Sequence, residues 1–158
     1  MTALGASTRR VVEAAAAAGV SIAVRRFPEG TRTAADAAAA IGCPVAAIAK
    51  SIVLVGDDVP LVVLTSGANR VDYTKVAGVL GADAVRRATA EEAKAATGYA
   101  IGGTAPFGHP QPLTMLLDED LLALPVLWAA AGTPDTVFPI EPRALLEATG
   151  ARVADVAE

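Results

Sequence analysis

Apolar residues follow two rhythms along this chain, a helical one in alanine-rich stretches and short unbroken runs of β-branched and leucine residues between them. Ser7 to Ala18 has the helical pattern and Gly19 stops it. Val20 to Phe27 then reads as a strand with Ile22 and Val24 on one face. Thr33 caps a second helix, Asp36 completes a capping-box pattern, and Gly42 ends the segment. Pro44 opens one further helical turn that carries Lys50 to its end. Ser51 to Val55 and Pro60 to Thr65 form a predicted hairpin across Gly56-Asp57-Asp58, with both strands largely buried. Ser66 to Asn69 is a loop, Asp72 to Leu80 a helix and Ala84 to Ala88 a brief strand. Thr89 with Glu92 then forms a second capping box for a helix ending at Thr97.

The last third of the chain alternates short strands with turns. Strands are expected at Leu113 to Leu117, Val126 to Ala130 and Val137 to Ile140, with turns at Asp118-Glu119-Asp120 and Gly132-Thr133-Pro134-Asp135. Pro142 sits at the first position of a final helix, Gly150 stops it, and Ala151 to Val156 closes the sheet. Hairpins mixed with single helices predict an α+β, or mixed α/β, fold: a single domain over residues 1–158 around one curved sheet.

Composition narrows the chemistry. The chain has 53% apolar residues, so one core is readily buried, but only 4% aromatics, which leaves little for broad stacking of nucleic-acid bases. A net charge of −4 argues against a broad basic face, so DNA is not an expected partner and any RNA contact must be local. The N-terminal stretch carries Arg9, Arg10 and Glu13 and lacks the apolar core of a secretory signal; no stretch approaches a membrane span. The single cysteine, Cys43, reads as an inert buried thiol in a reducing cytoplasm. One histidine and one cysteine at no ligand spacing predict no metal and no cofactor, and Asp57-Asp58 and Asp118-Glu119-Asp120 read as solvated turns. His109 lacks the serine elbow of a triad and reads either as a loop residue that touches a ligand or as one with no role.

Two features remain. Thr97 to Gly108 holds four glycines and Pro106, a composition that presents bare main-chain N–H groups and permits close approach by a ligand; an ordinary loop after a Gly98 helix cap is the other reading. Lys50 stands in the apolar segment Ala47-Ile48-Ala49-Lys50-Ser51-Ile52-Val53, either as a helix-terminal or snorkelling charge or as a functional group.

Ala49-Lys50-Ser51-Ile52-Val53, Thr65-Ser66-Gly67-Ala68-Asn69, and Thr97-Gly98-Tyr99 with Gly102-Gly103-x-x-Pro106-Phe107-Gly108 occur in the order of one family. Together they resemble the YbaK/EbsC family of the aminoacyl-tRNA deacylase superfamily, which includes the editing domain of bacterial prolyl-tRNA synthetases. The resemblance runs from about Phe27 to the C-terminus. It implies a compact mixed α/β domain with a curved, partly closed sheet, helices outside it, and a cleft between Lys50 and the glycine loop.

The implied function is trans-acting hydrolysis of a mischarged aminoacyl-tRNA. The main-chain N–H groups of Gly102, Gly103 and Thr104 would hold the developing oxyanion, and Lys50 would bind phosphate or polarise the ester. Ser51 would hydrogen-bond nearby. A small pocket near Phe27, Thr33 and the loop residues Ala105, Pro106, Phe107, Gly108 and His109 would screen the side chain. The late turn, with Gly132, Thr133 and Asp135, departs from relatives that carry a histidine there and leaves the amino acid open. The charged 3′ end of tRNA is the implied partner, with a synthetase or an elongation factor supplying tRNA choice. A non-catalytic aminoacyl- or nucleotide-binding module and a hydrolase of another activated acyl compound are the alternative readings.

Overall fold

The computed structural model describes residues 4–27 and 33–158. Its helices are α1 (Ala6–Ala17), α2 (Ala34–Ile41), α3 (Tyr73–Leu80), α4 (Ala90–Thr97) and α5 (Pro142–Thr149). Its strands are β1 (Arg25–Arg26), β2 (Ile48–Gly56), β3 (Val59–Ser66), β4 (Val85–Arg87), β5 (Thr114–Asp118), β6 (Leu127–Ala130), β7 (Thr136–Ile140) and β8 (Arg152–Ala154). No helix among the described residues is long and apolar enough to cross a membrane.

Local chemistry sets most boundaries. The Thr33 side chain accepts from the Asp36 N–H to start α2, Asp72 does the same for α3 from Lys75, and Thr89 and Glu92 form a reciprocal box for α4. Gly42, Gly81, Gly98 and Gly150 end their helices in the left-handed region. The β2–β3 hairpin turns on Asp57 and Asp58, whose φ values of 47° and 66° suit the right-handed twist of the two strands. Asp57 tolerates this because its carboxylate accepts from the main-chain N–H groups of Asp83 and Ala84.

The strands form one mixed sheet in the order β1-β7-β6-β2-β3-β5-β8, with β4 also paired to β2. The residues of β2 alternate between its two faces. Ala49, Val53 and Val55 join the larger core with Val11, Leu64, Leu117 and Phe138. Leu54 joins a second core with Leu61, Val76 and Leu116, while Ile48 packs on Ala37 and Ala38 of α2. Burying each of the larger side chains stabilises the fold by about 2 kcal/mol.

One edge of β2 is shared. Its start runs parallel to β6 through Ile48↔Trp128 and Ala49↔Ala129, whereas its end runs antiparallel to β4 through Leu54↔Arg87, Val55↔Arg86 and Gly56↔Val85. On that side Lys50 to Val53 have no strand partner; only the Val53 carbonyl is taken, by the Ala88 N–H at 3.0 Å. The sheet is therefore split beside Lys50, Ser51 and Ile52.

Three expectations are corrected. The predicted strand Val20 to Phe27 shrinks to Arg25–Arg26, because only those residues reach the edge of β7, while Ile22 and Val24 pack on the core without pairing. Lys50 lies within β2 and not at the end of a helical turn, since the short 3₁₀ turn after Pro44 covers only Val45–Ala47. Asp118 is fully buried and not a solvated turn residue. Its carboxylate accepts from Thr65 Oγ1 at 3.0 Å, the Ser66 N–H at 3.1 Å, Asn69 Nδ2 at 2.9 Å and the Asp120 N–H at 3.0 Å. Four donors around one carboxylate offset the cost of burying its charge.

Asp118→Ala is expected to lower unfolding stability by about 3 kcal/mol, because it strands buried donors of β3. Chemical denaturation of parent and variant side by side checks this. An unchanged midpoint would show that the carboxylate does not hold β3 to β5.

Candidate functional site

The split in the sheet opens into a cleft of about 220 Å³. Its floor is Ile48 to Ile52 of β2, one wall is Thr33, Ala34 and Ala37 at the start of α2, and another is Trp128 to Ala130 of β6 with Thr136 and Val137 of β7. Ile101, Gly102 and Thr104 of the glycine loop and Arg87 of β4 complete it. Most of the lining is apolar and small, which suits a short uncharged side chain.

Lys50 lies at the mouth. Its Nζ donates to the Asn69 carbonyl at 3.0 Å, and Asn69 Nδ2 in turn donates to the buried Asp118 and to Asp120. Burial, then the nearby Arg87 and Arg70, push the Lys50 pKa below the usual lysine range, against a smaller opposing pull from Asp118. The Thr65-Ser66-Gly67-Ala68-Asn69 stretch explains this placement locally. Ser66 Oγ donates to the Ala46 carbonyl at 2.8 Å, and the Gly67 N–H donates to the Ile48 carbonyl at 2.7 Å. A side chain at Gly67 would collide with the Val45 carbonyl oxygen, so glycine lets the loop close over the start of β2.

Ser51 also lines the cleft, and its Oγ is the one buried side-chain polar atom among the described residues found without a hydrogen-bond partner. An orphaned hydroxyl of this kind costs about 1–3 kcal/mol unless a ligand satisfies it. Alternation along β2 also turns the Ser51 main-chain groups toward the split, because the Val53 carbonyl faces that way.

The glycine loop is braced from behind. Gly98 caps α4, and the buried Tyr99 donates its hydroxyl to the Phe107 carbonyl at 2.6 Å, spanning the loop. The Arg10 guanidinium lies 4.4 Å from the Tyr99 ring centroid and donates to the Gly98 carbonyl at 3.0 Å. The Gly103 N–H is used within the loop, donating to the Ala100 carbonyl at 3.0 Å. Among the described residues the N–H groups of Gly102 and Thr104 have no protein acceptor, and both residues face the cleft. Gly103 instead packs on the late turn: an added Cβ would lie 2.8 Å from the Thr133 Cα.

Lys50, Ser51, Gly102, Thr104 and Thr33 thus converge on the cleft, and the other residues singled out from sequence stand around it. Ala105, Pro106 and Phe107 are buried in the loop's support, with Phe107 against Phe138 at 6.1 Å between ring centroids. Gly108 has φ +83° and a Cβ there would collide with the Tyr99 hydroxyl. His109 packs edge-on to Tyr99 with its Nε2 2.9 Å from the Ala105 carbonyl; burial pushes its pKa down, opposed by that hydrogen bond and reinforced by Arg10. Gly132 packs against the Ser7 main chain. Thr133 donates to Asp135 at 2.7 Å, and Asp135 pairs with Arg26 at 2.9 Å; these two contacts hold the Asp135 pKa below the usual carboxylate range. Phe27 borders β7 through its N–H to the Asp135 carbonyl and lies under Arg25, outside the cleft lining. Sequence reading missed Trp128, Arg87 and Arg70. Nothing local marks them, since two are surface arginines and the third is an aromatic in a buried strand.

Comparison with known proteins places the chain in a family. Residues 28–148 match the aminoacyl-tRNA editing domain. The proline–tRNA ligase of Levilactobacillus brevis is 32% identical over 90 residues, which is 57% of this chain, and the chain spans 16% of that ligase's length. The uncharacterized protein YwhH of Bacillus subtilis is 28% identical over 131 residues, covering 82% of this chain and 83% of YwhH. A crystal structure of a candidate trans-editing enzyme for prolyl tRNA synthetase superposes with a TM-score of 0.93 at 46% identity, covering 99% of both chains. With the family match running over residues 28–148, this chain belongs to the aminoacyl-tRNA editing domain family.

Proposed function

We propose that this chain is a trans-acting aminoacyl-tRNA deacylase that adds water across the ester of a mischarged tRNA, releasing the amino acid and the free 3′ end. The observation that carries this reading is the convergence, on one small cleft, of a positive charge, an unpartnered hydroxyl and two unused main-chain donors. An aminoacyl ester is an activated acyl group, so its hydrolysis needs charge stabilisation and a placed water more than a strong nucleophile. As water adds to the ester carbon, negative charge develops on the carbonyl oxygen. The N–H groups of Gly102 and Thr104 are fixed by the loop's bracing and need no reorganisation to meet it. Lys50 supplies the nearby positive charge to the ester or to the terminal phosphate, and the Ser51 hydroxyl holds the water or the amino group. Trans-editing is supported by the neighbour matched over 99% of both chains.

The cleft volume of about 220 Å³ and its lining by Ala34, Ala37, Ile48 and Val137 favour a small apolar aminoacyl group. Larger ones are refused by clash, which discriminates more sharply than weaker binding. With a net charge of −4 the chain lacks a broad surface for the tRNA body, so a synthetase or an elongation factor would supply tRNA choice. The deciding experiment is a panel of mischarged tRNAs presented to the purified protein. Hydrolysis confined to small aminoacyl groups is expected, and no hydrolysis of any member would sink the reading.

Two variants probe the mechanism. Lys50→Ala is expected to lower single-turnover deacylation about 100-fold, on the order of 3 kcal/mol in the barrier. Its melting temperature should barely move, because the side chain makes one hydrogen bond to a loop carbonyl. Unchanged turnover would return Lys50 to a structural charge.

Gly103→Val is expected to cost at least as much in rate while the cooperative melt persists. Its side chain must push against the Gly132–Thr133 backbone and so displaces the neighbouring donors from the cleft. Single-turnover kinetics and a thermal melt on the same sample separate this from unfolding; parent-like turnover would show that the loop does not hold the oxyanion.

A further inference from the structure

Trp128, the one tryptophan of the chain, is the bulkiest side chain in the cleft lining. Side chains alternate along β6: Leu127 and Ala129 enter the larger core, so Trp128 and Ala130 lie on the opposite face. There Trp128 packs against Ala37, Ala38 and Ile48, which closes the cleft between α2 and the start of β2. Much of the remaining wall is built from methyl groups, those of Ala34, Ala37 and Ala130. The indole is therefore the large group whose position sets the depth. The register carries its face across two more strands, since Ala130 stands opposite Val137 of β7 and Val137 stands opposite Arg25 of β1. From that edge Arg25 reaches back toward β6. Its guanidinium carbon lies 5.4 Å from the Trp128 ring centroid and 5.2 Å from that of Phe27, both within the range of a cation–π contact. The neighbouring Arg26 pairs with Asp135 at 2.9 Å, which anchors the two-residue strand from which Arg25 projects.

We propose that the Trp128 indole is the size gauge of the aminoacyl pocket, and that Arg25, clasped between Trp128 and Phe27, is the positioning residue that holds it in place. The inference rests on the deacylase reading for the identity of the ligand. A flat ring pinned from outside the pocket does not swing aside for a longer side chain, so it refuses by clash and not by weaker attraction. Phe27 lies outside the cleft lining and acts on the pocket through Arg25.

The test uses one tRNA body charged with alanine or with leucine, and both hydrolysis rates are measured on the same protein sample so that any loss of folded protein cancels in their ratio. Trp128→Ala is expected to raise the leucyl-to-alanyl ratio at least about 10-fold. Trp128→Phe, which is milder to the fold and keeps a ring for the cation, should give an intermediate rise. Arg25→Gln should also raise the ratio, whereas Arg25→Lys keeps a cation over the rings and should leave it at the parent value. The parent ratio in whichever Trp128 variants fold overturns the gauge, and the parent ratio in Arg25→Gln removes Arg25 from it. Calorimetry with the alanyl and leucyl amides of 3′-amino-3′-deoxyadenosine, which carry no ester, is a separate arm. Because Trp128 is the sole indole, saturating alanyl amide should change the tryptophan emission of the parent; unchanged emission at saturation also overturns the gauge. A binding preference for the alanyl amide that relaxes in Trp128→Ala, with no ester cleaved by the parent, removes the deacylase reading and leaves the gauge standing. Ester hydrolysis with an unmoved preference removes only the gauge.

Discussion

Strand β2 has one outer edge and two strands that use it, β6 along its first residues and β4 along its last. The two approach in opposite senses, parallel and antiparallel, so they cannot merge into one continuous partner, and the sheet opens between them at Lys50 to Val53. A gap in a sheet normally leaves main-chain polar groups unsatisfied, which is costly when they are buried. Here the gap faces a cleft and provides both a Ser51 hydroxyl without a protein partner and a lysine raised out of bulk solvent. The proposed chemistry is placed at this split.

Everything around the gap serves to keep its walls fixed. On one side, the buried Asp118 gathers the end of β3 and Asn69, and Asn69 accepts from Lys50. On the other, Tyr99 and Arg10 brace the glycine loop, while Gly103 and Gly132 allow backbones to pack on one another closely. Donors held in this way can meet developing charge without rearrangement, which is the basis of the oxyanion role proposed for the loop in a chain with one histidine and one cysteine.

Charge is handled locally too. The chain is acidic overall; Arg26, Lys75 and Arg86 pair with carboxylates, whereas Lys50 in the cleft donates to a main-chain carbonyl. Fields from distant surface charges are screened within about 10 Å, so the charges that line the cleft, Lys50 and Arg87, matter more to a ligand held there than the net charge does.

The sequence by itself determined the helices and most of the strands, because caps such as Thr33, Asp72 and Thr89, stops such as Gly42 and Gly150, and the Asp57-Asp58 turn act over a few residues and need no tertiary context. It also singled out Lys50 and the glycine loop through a joint pattern of residue types. Tertiary structure alone decided that Val20 to Phe27 pairs only at Arg25–Arg26, since pairing depends on where β7 passes, and that Asp118 is buried, since its donors come from β3 and the loop that follows it. It alone decided that Gly103 packs on a turn about thirty residues away while Gly102 and Thr104 face the cleft, and that Arg70 and Arg87 stand beside Lys50. Those are contacts between segments distant in sequence, and no local periodicity encodes them.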